Sequence, residues 1–307
     1  MTVESLASTR SALPSSADGL PPPSAAALAR RRIFGHAGFV IGAGILVFIV
    51  AIAILAPLLA PHDPYAQDLS RRLIPPIWHA DGTWVYPLGT DQVGRDYLSR
   101  LIYGSRISLL IGFSVMLMSG LIGTSLGVVA GYFGGRIDLV INFVITTRLA
   151  MPVILVALTV AALAGSSLRN VILVLGLLLW DRFAVVTRSA TLQVRNLDYV
   201  AAAQAVGCST ARIVATEILP NVLNAIVIIA TIEMANGILL AAALSFLGLG
   251  VPPPLPDWGA MIADGKQFML FSPWIITIPG VALFALVLAI NLLGDGLRDL
   301  TAPENRG

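Results

Sequence analysis

Residues 199–221 read YVAAAQAVGCSTARIVATEILPN. A run of small residues from Ala201 to Ala205 leads to Gly207, and a second helical run ends in Ile218-Leu219-Pro220. Long apolar segments lie on both sides, yet the stretch carries Arg212 and Glu217 and follows Asp198. The pattern predicts a helix-turn-helix held at a membrane surface, where a partner protein can push on it. Gly207 permits the turn, and Pro220 marks where the next span begins.

The composition supports a membrane setting. Of 307 residues, 57% are hydrophobic and 12% charged, against about 25% charged in a soluble domain. A net charge of +2 is too small to argue for nucleic acid. Cys208 is the only cysteine, which excludes an intrachain disulfide and a multi-cysteine metal site. Residues Met1 to Ala29, rich in Ser, Ala and Pro, read as a disordered tail. Arg30-Arg31-Arg32 and the apolar run after them read as an uncleaved anchor rather than a signal peptide.

Gly38 to Ala60 forms the first predicted span, about 34 Å long as a helix and enough for a hydrocarbon core of roughly 30 Å. Pro61 to Arg106 is polar. Near its end, Asp96 is placed to cap a short interfacial helix from Tyr97 to Tyr103, with Arg95, Arg100 and Arg106 snorkelling to headgroups. Ile107 to Phe133 is the second span, and Gly123, Gly127 and Gly131 put small residues along one face. Such a face serves internal packing or a subunit interface equally well. Ile137 to Ala164 is the third, kinked or started by Pro152. Val171 to Val186 is the fourth, interrupted by Asp181 and Arg182. Asn221 to Leu249 is the fifth and Pro273 to Leu293 the sixth. Six spans put both termini on one side, and the triple arginine makes that side cytoplasmic. The division is therefore a cytoplasmic tail (1–33), a first transmembrane helix (34–60), an extracytoplasmic loop with an interfacial helix (61–106) and a transmembrane core (107–297). A cytoplasmic loop (195–221) lies within that core, and a short cytoplasmic tail (298–307) ends the chain.

No catalytic constellation assembles. The three histidines lie outside every span, and neither H-E-x-x-H nor G-x-S-x-G occurs. Gly265-Lys266 lacks the spacing of a phosphate loop, so the chain is not expected to bind ATP by itself or to need a cofactor or metal. Charged groups inside spans are costly and mark functional candidates. They are Arg148, Asp181, Arg182 and Glu233, with Asn236 one turn beyond Glu233. Arg148 and Arg182 also read as snorkelling residues near helix ends. Glu233 either lines a water-filled path or pairs internally.

Residues 199–221 resemble the EAA loop of permease subunits of bacterial ABC importers. Ala202-Ala203, Gly207 and Leu219-Pro220 match at that family's spacing, while Ala201 stands where the family has a leading glutamate. Further motifs are similar to the DppC/OppC-type member of the dipeptide/oligopeptide/nickel permease branch. They are Pro87 to Asp96, Gly104 to Leu109, Phe246 to Gly250, Asp257 to Met261 and Asn291 to Asp299. The resemblance implies an all-α, six-helix type I importer permease that performs no covalent chemistry. It implies a heterodimer with a second permease subunit, two ATP-binding subunits and an extracytoplasmic solute-binding protein, all around a plasma-membrane core. It also implies that Tyr199, Ala201, Ala202, Ala203, Ala205, Gly207, Cys208, Arg212, Leu219 and Pro220 form the docking loop for the ATPases. Arg148, Asp181, Glu233 and Asn236 would line the translocation path for peptides. The same transporter class acting on nickel or another small solute is the alternative. A stand-alone secondary carrier using Glu233 is the rival from another class. Thr146, Arg148 and Asp181-Arg182 depart from the family pattern at positions that bear on the path.

Overall fold

The structure, a computed structural model, describes residues 35–301. The expected N-terminal tail and the last six residues lie outside the described residues. The described chain is almost entirely helical. Helix α1 spans Ala37–Ile54 and α2 spans Ala56–Leu59. After a polar loop, α3 runs from Tyr97 to Phe133. Helices α4 (Gly135–Leu149) and α5 (Val153–Ala164) form one bent span, folded by 85° at the break before Pro152. Helices α6 (Leu168–Leu178) and α7 (Trp180–Arg195) follow, then the short α8 (Asp198–Ala205). Helix α9 covers Thr210–Phe246, α10 covers Trp258–Gly265 and α11 covers Trp274–Thr301. Five helical segments are long and apolar enough to cross a membrane, six with the bent pair.

Helix α3 is the central post and touches α1, α6, α7 and α9. The Gly123, Gly127 and Gly131 stripe packs internally. A Cβ at Gly123 would sit 2.2 Å from the Trp180 carbonyl oxygen, and one at Gly127 2.7 Å from that of Ala184. Only hydrogen fits between α3 and α7, so the two backbones touch. Gly123→Ala is expected to cost about 1–3 kcal/mol of stability through overpacking. The check is the thermal midpoint of the detergent-solubilised chain. Gly44→Ala, whose added carbon meets nothing within 4 Å, should leave that midpoint unmoved.

Several boundaries differ from the sequence-based expectation. The first span is interrupted at Pro57: α1 stops at Ile54 and α2 restarts with Pro57 in its first turn. A proline ring clashes with the carbonyl four residues upstream, so the helix ends before it. The interfacial helix at Tyr97–Tyr103 does not exist as a separate element. It is the first turns of α3, capped as expected by Asp96, whose carboxylate accepts from the Ser99 amide at 3.0 Å. Nor do Arg95 and Arg100 snorkel. Both are buried, and their Nε atoms lie 2.6 and 3.4 Å from one Asp91 carboxylate oxygen. The other Asp91 oxygen accepts from the Val93 and Arg95 amides at 3.0 and 2.9 Å. A second acid, Asp264 of α10, reaches Arg95 at 4.0 Å. Burial pushes the Asp264 carboxyl above the usual carboxylate range, with the Arg100 and Arg95 charges opposing. These charges pay for their own burial by mutual pairing, and in doing so they clamp the polar loop to α3 and α10.

Asp257 ties three helices together at the same end. It caps α10 through the Ala260 amide and accepts from Ser108 of α3 at 3.0 Å and Ser245 of α9 at 3.1 Å. Burial raises its carboxyl pKa, against the hydrogen bonds from the Ala260 amide and the two serines.

Candidate functional site

Two places collect the polar residues singled out from the sequence. The first is the helical hairpin α8–α9 at the end of the bundle farthest from the polar loop. Helix α8 ends in a Schellman motif. The Cys208 amide donates to the Ala203 carbonyl at 3.1 Å and the Gly207 amide to that of Gln204 at 3.0 Å. Gly207 takes φ +84° there, a left-handed conformation that suits glycine. Ser209 then caps α9, its hydroxyl accepting from the Arg212 amide.

The hairpin is held from below by a small apolar cluster. Val200, Ile213, Ile218 and Val222 are buried against Tyr132 of α3, with Ala203, Cys208 and Val194 alongside. Ile213 and Ile218 are five residues apart, a spacing that would place them on different faces of an α-helix. A π-helical turn at Val214–Ile218 brings them together, with the Leu219 amide bonded to the Val214 carbonyl. Helix α9 therefore begins at Thr210, before the expected start at Asn221, and Pro220 lies in its course without ending it. The outward face carries Leu197, Tyr199, Ala201, Ala202, Ala205 and Val206, the last 84% exposed. Arg212, Leu219 and Pro220 are exposed as well. The structure thus splits the candidates: Ala203 and Cys208 face the bundle, and the others face outward.

The second place is a cavity of about 490 Å³ where the α4–α5 bend, the start of α7 and α9 meet. Arg148, Asp181, Arg182, Glu233 and Asn236 all line it. Its origin is the break between α6 and α7 at Leu179, which leaves backbone groups without helical partners. Arg148 donates to the freed Leu178 carbonyl at 2.5 Å. It turns inward for that bond, contrary to the snorkelling expected of it. Asp181 sits in the first turn of α7 and accepts from the Arg182 amide at 2.9 Å, supplying the cap that Leu179 cannot. Glu233 is fully buried. Arg182 lies 3.3 Å from its Oε1, and the Asn236 side chain donates to the same oxygen at 3.2 Å. Near the α7 end, Arg188 grips Asp138 with two bonds, at 2.5 and 2.7 Å, and pins α4 to α7.

Arg148→Gln tests the capping role. It should lower the thermal midpoint by an amount equivalent to about 1–3 kcal/mol, the cost of leaving a buried carbonyl unpaired. An unmoved midpoint would show that water caps Leu178 equally well.

The loop clamp around Asp91 escaped the sequence reading. Its local sign was the i, i+4 spacing of Asp91 and Arg95, within a stretch already noted as a motif.

Comparison with known proteins settles the family. A family model described as a binding-protein-dependent transport system inner membrane component matches residues 123–307. The chain belongs to that family. A second model, the N-terminal TM domain of oligopeptide transport permease C, matches residues 24–76. The dipeptide transport system permease protein DppC of Haemophilus influenzae is 41% identical over 87% of this chain and 90% of its own length. The corresponding Escherichia coli K12 protein is 43% identical over 87% and 89%. A di/tripeptide transport system permease protein of Pseudomonas aeruginosa is 40% identical over 84% and 86%. A chain of the MetNI methionine ABC transporter, in an inward-facing conformation, superposes with a TM-score of 0.55 at 19% identity. It covers 66% of this chain and 97% of that one, and shows the shared fold. This is a multi-pass inner-membrane ABC permease of the DppC/OppC type, a non-catalytic transport subunit. Membership of the family displaces the stand-alone carrier.

Proposed function

We propose that the chain forms one half of the translocation path of an ATP-driven importer of di- or oligopeptides. The carrying observation is that relatives 40–43% identical over at least 84% of the chain are dipeptide or di/tripeptide permeases. A second, related permease subunit supplies the other half. Two ATP-binding subunits dock on the hairpin of residues 199–221, and an extracytoplasmic binding protein delivers solute at the opposite end, around the clamped loop. Both termini and the hairpin lie on the cytoplasmic side, in keeping with the triple arginine at positions 30–32.

Closure of the ATPases moves the hairpins, and the spans rock to open the path outward and then inward. The outward face of α8 supports this reading. Beside the exposed Asp198 and Gln204 it carries Tyr199, Ala201, Ala202 and Ala205, and the three alanines let a partner approach closely. With alanine at 201 the contact relies on shape rather than on a charge. Ala203 and Cys208 serve it from beneath by holding the turn. The cavity around Glu233 supplies polar groups to the path, in keeping with the rarity of charges inside spans.

The test is reconstitution into liposomes with and without the partner subunits. ATP-dependent uptake of dialanine is expected only when the second permease, the ATPases and the binding protein are all present. Uptake by this chain alone, driven by an ion gradient, would overturn the assignment.

A further inference from the structure

The polar groups of the cavity are not equally satisfied. Asp181 is accounted for by the start of α7, and Arg148 is held by the Leu178 carbonyl, though its Nε is buried without a partner among the described residues. Glu233 differs. Both of its neighbours, Arg182 and Asn236, bind Oε1. Its Oε2 is buried and has no hydrogen-bond partner among the described residues. A buried acceptor left unpaired costs about 1–3 kcal/mol, and more when charged. Such an arrangement is complete only when a donor arrives.

Arg182 shows the complementary incompleteness. Its side chain is 56% exposed. A guanidinium has five N–H groups, and Arg182 has one side-chain hydrogen bond among the described residues, to Glu233. The cavity thus borders a group with an unpaired acceptor oxygen, closed to solvent in this conformation, and offers spare donors on its neighbour. Arg148 and Arg182 are balanced by Asp181 and Glu233, so the lining carries no net formal charge. Such a site disfavours a solute with net charge and suits one with separated charges of both signs. The volume of about 490 Å³ falls within the roughly 300–1,000 Å³ of small-molecule sites.

We propose that this cavity is a transient subsite for the termini of a zwitterionic peptide. A turn of the Glu233 carboxylate uncovers Oε2, which accepts from the terminal ammonium, and the free edge of the Arg182 guanidinium donates to the terminal carboxylate. This rests on the peptide-importer reading above. The subsite gives the solute a stopping point after its release from the binding protein.

The test uses the whole transporter in proteoliposomes, with the binding protein saturated by dialanine. Glu233→Gln keeps the shape but replaces the accepting Oε2 or weakens it. It is expected to lower the uptake rate about tenfold, while the yield of assembled complex stays that of the parent. The double variant Glu233→Gln/Arg182→Gln is expected to stay low, because both contacts to the solute are gone. Unchanged uptake in Glu233→Gln overturns the subsite. So does recovery in the double variant, which would mean that the pair only neutralises itself. Should Glu233→Gln fail to assemble, Glu233→Asp carries the test. It keeps the charge but draws the oxygens back by one methylene. A several-fold loss of uptake is expected, and an unchanged rate overturns the proposal. If the parent complex hydrolyses ATP but does not carry dialanine, the peptide reading itself fails, and the subsite with it.

Discussion

Gly207→Val is expected to reduce ATP-dependent uptake by about tenfold or more while the chain still inserts and pairs with its partner permease. The cause is backbone conformation. Gly207 sits at φ +84° with nothing within 4 Å of an added Cβ, so no contact is lost and no clash with a neighbour is created. A left-handed conformation costs an ordinary residue roughly 1–2 kcal/mol, and a β-branched one more. The turn relieves that strain by leaving the left-handed region, which breaks the bonds from Gly207 and Cys208 back to α8. Helix α8 then loses its fixed angle to α9, and Ala201, Ala202 and Ala205 no longer face outward in the orientation the turn sets. Each 1.4 kcal/mol is about tenfold in an equilibrium, so the strain alone suffices to depopulate the docking geometry. Gly207→Asn is the control: asparagine is the other residue that ends helices this way, and most of the uptake should survive. The measurement is uptake per ATP hydrolysed. Normal coupling in the valine variant would remove the hairpin from the mechanism.

Asp91→Ala should cost stability on the order of 3–5 kcal/mol, the range for removing one partner from a buried charge cluster. Asp91 is 3% exposed. Its two oxygens hold the Val93 and Arg95 amides and both the Arg95 and Arg100 guanidinium groups. Deleting it leaves two buried cations with Asp264 alone, 4.0 Å from Arg95. The loop is then expected to come away from α3 and α10, exposing it to protease well below the parent's melting temperature. Limited proteolysis followed by thermal denaturation reads both effects. Asp68→Ala, which removes an exposed acid paired with Arg71 at 3.1 Å, should change neither. Equal sensitivity in the two variants would show that the cluster does not hold the loop.

The helices were legible because lipid-length apolar runs are a one-dimensional signal, and the Pro152 bend and the Gly207 turn have their own residues. What escaped the sequence depended on partners far along the chain. Arg100 resembles a headgroup-seeking arginine until Asp91 and Asp264 are placed beside it, and α3 then extends back to Tyr97. The break at Leu179 carries neither glycine nor proline. It is sustained by Asp181 next to it and by Arg148, thirty residues away. Glu233 stood out as a charge inside a span. Which of its oxygens lacks a partner depends on where Arg182 and Asn236 point, and no spacing rule gives that.

The π turn at Val214–Ile218 lies between the Gly207 turn and Glu233, inside one continuous helix. An α-helix advances by about 100° per residue, and a π turn is such a helix carrying one residue of slack. When the slack moves by a turn, every residue it passes changes azimuth while both flanks keep their hydrogen bonds. The residues it passes can therefore turn to a new face while the two ends of α9 keep their relative orientation, without a hinge. From Thr210 to Glu233 is about 34 Å of helix at 1.5 Å per residue. Across that length the helix holds one place where the register of its faces can shift.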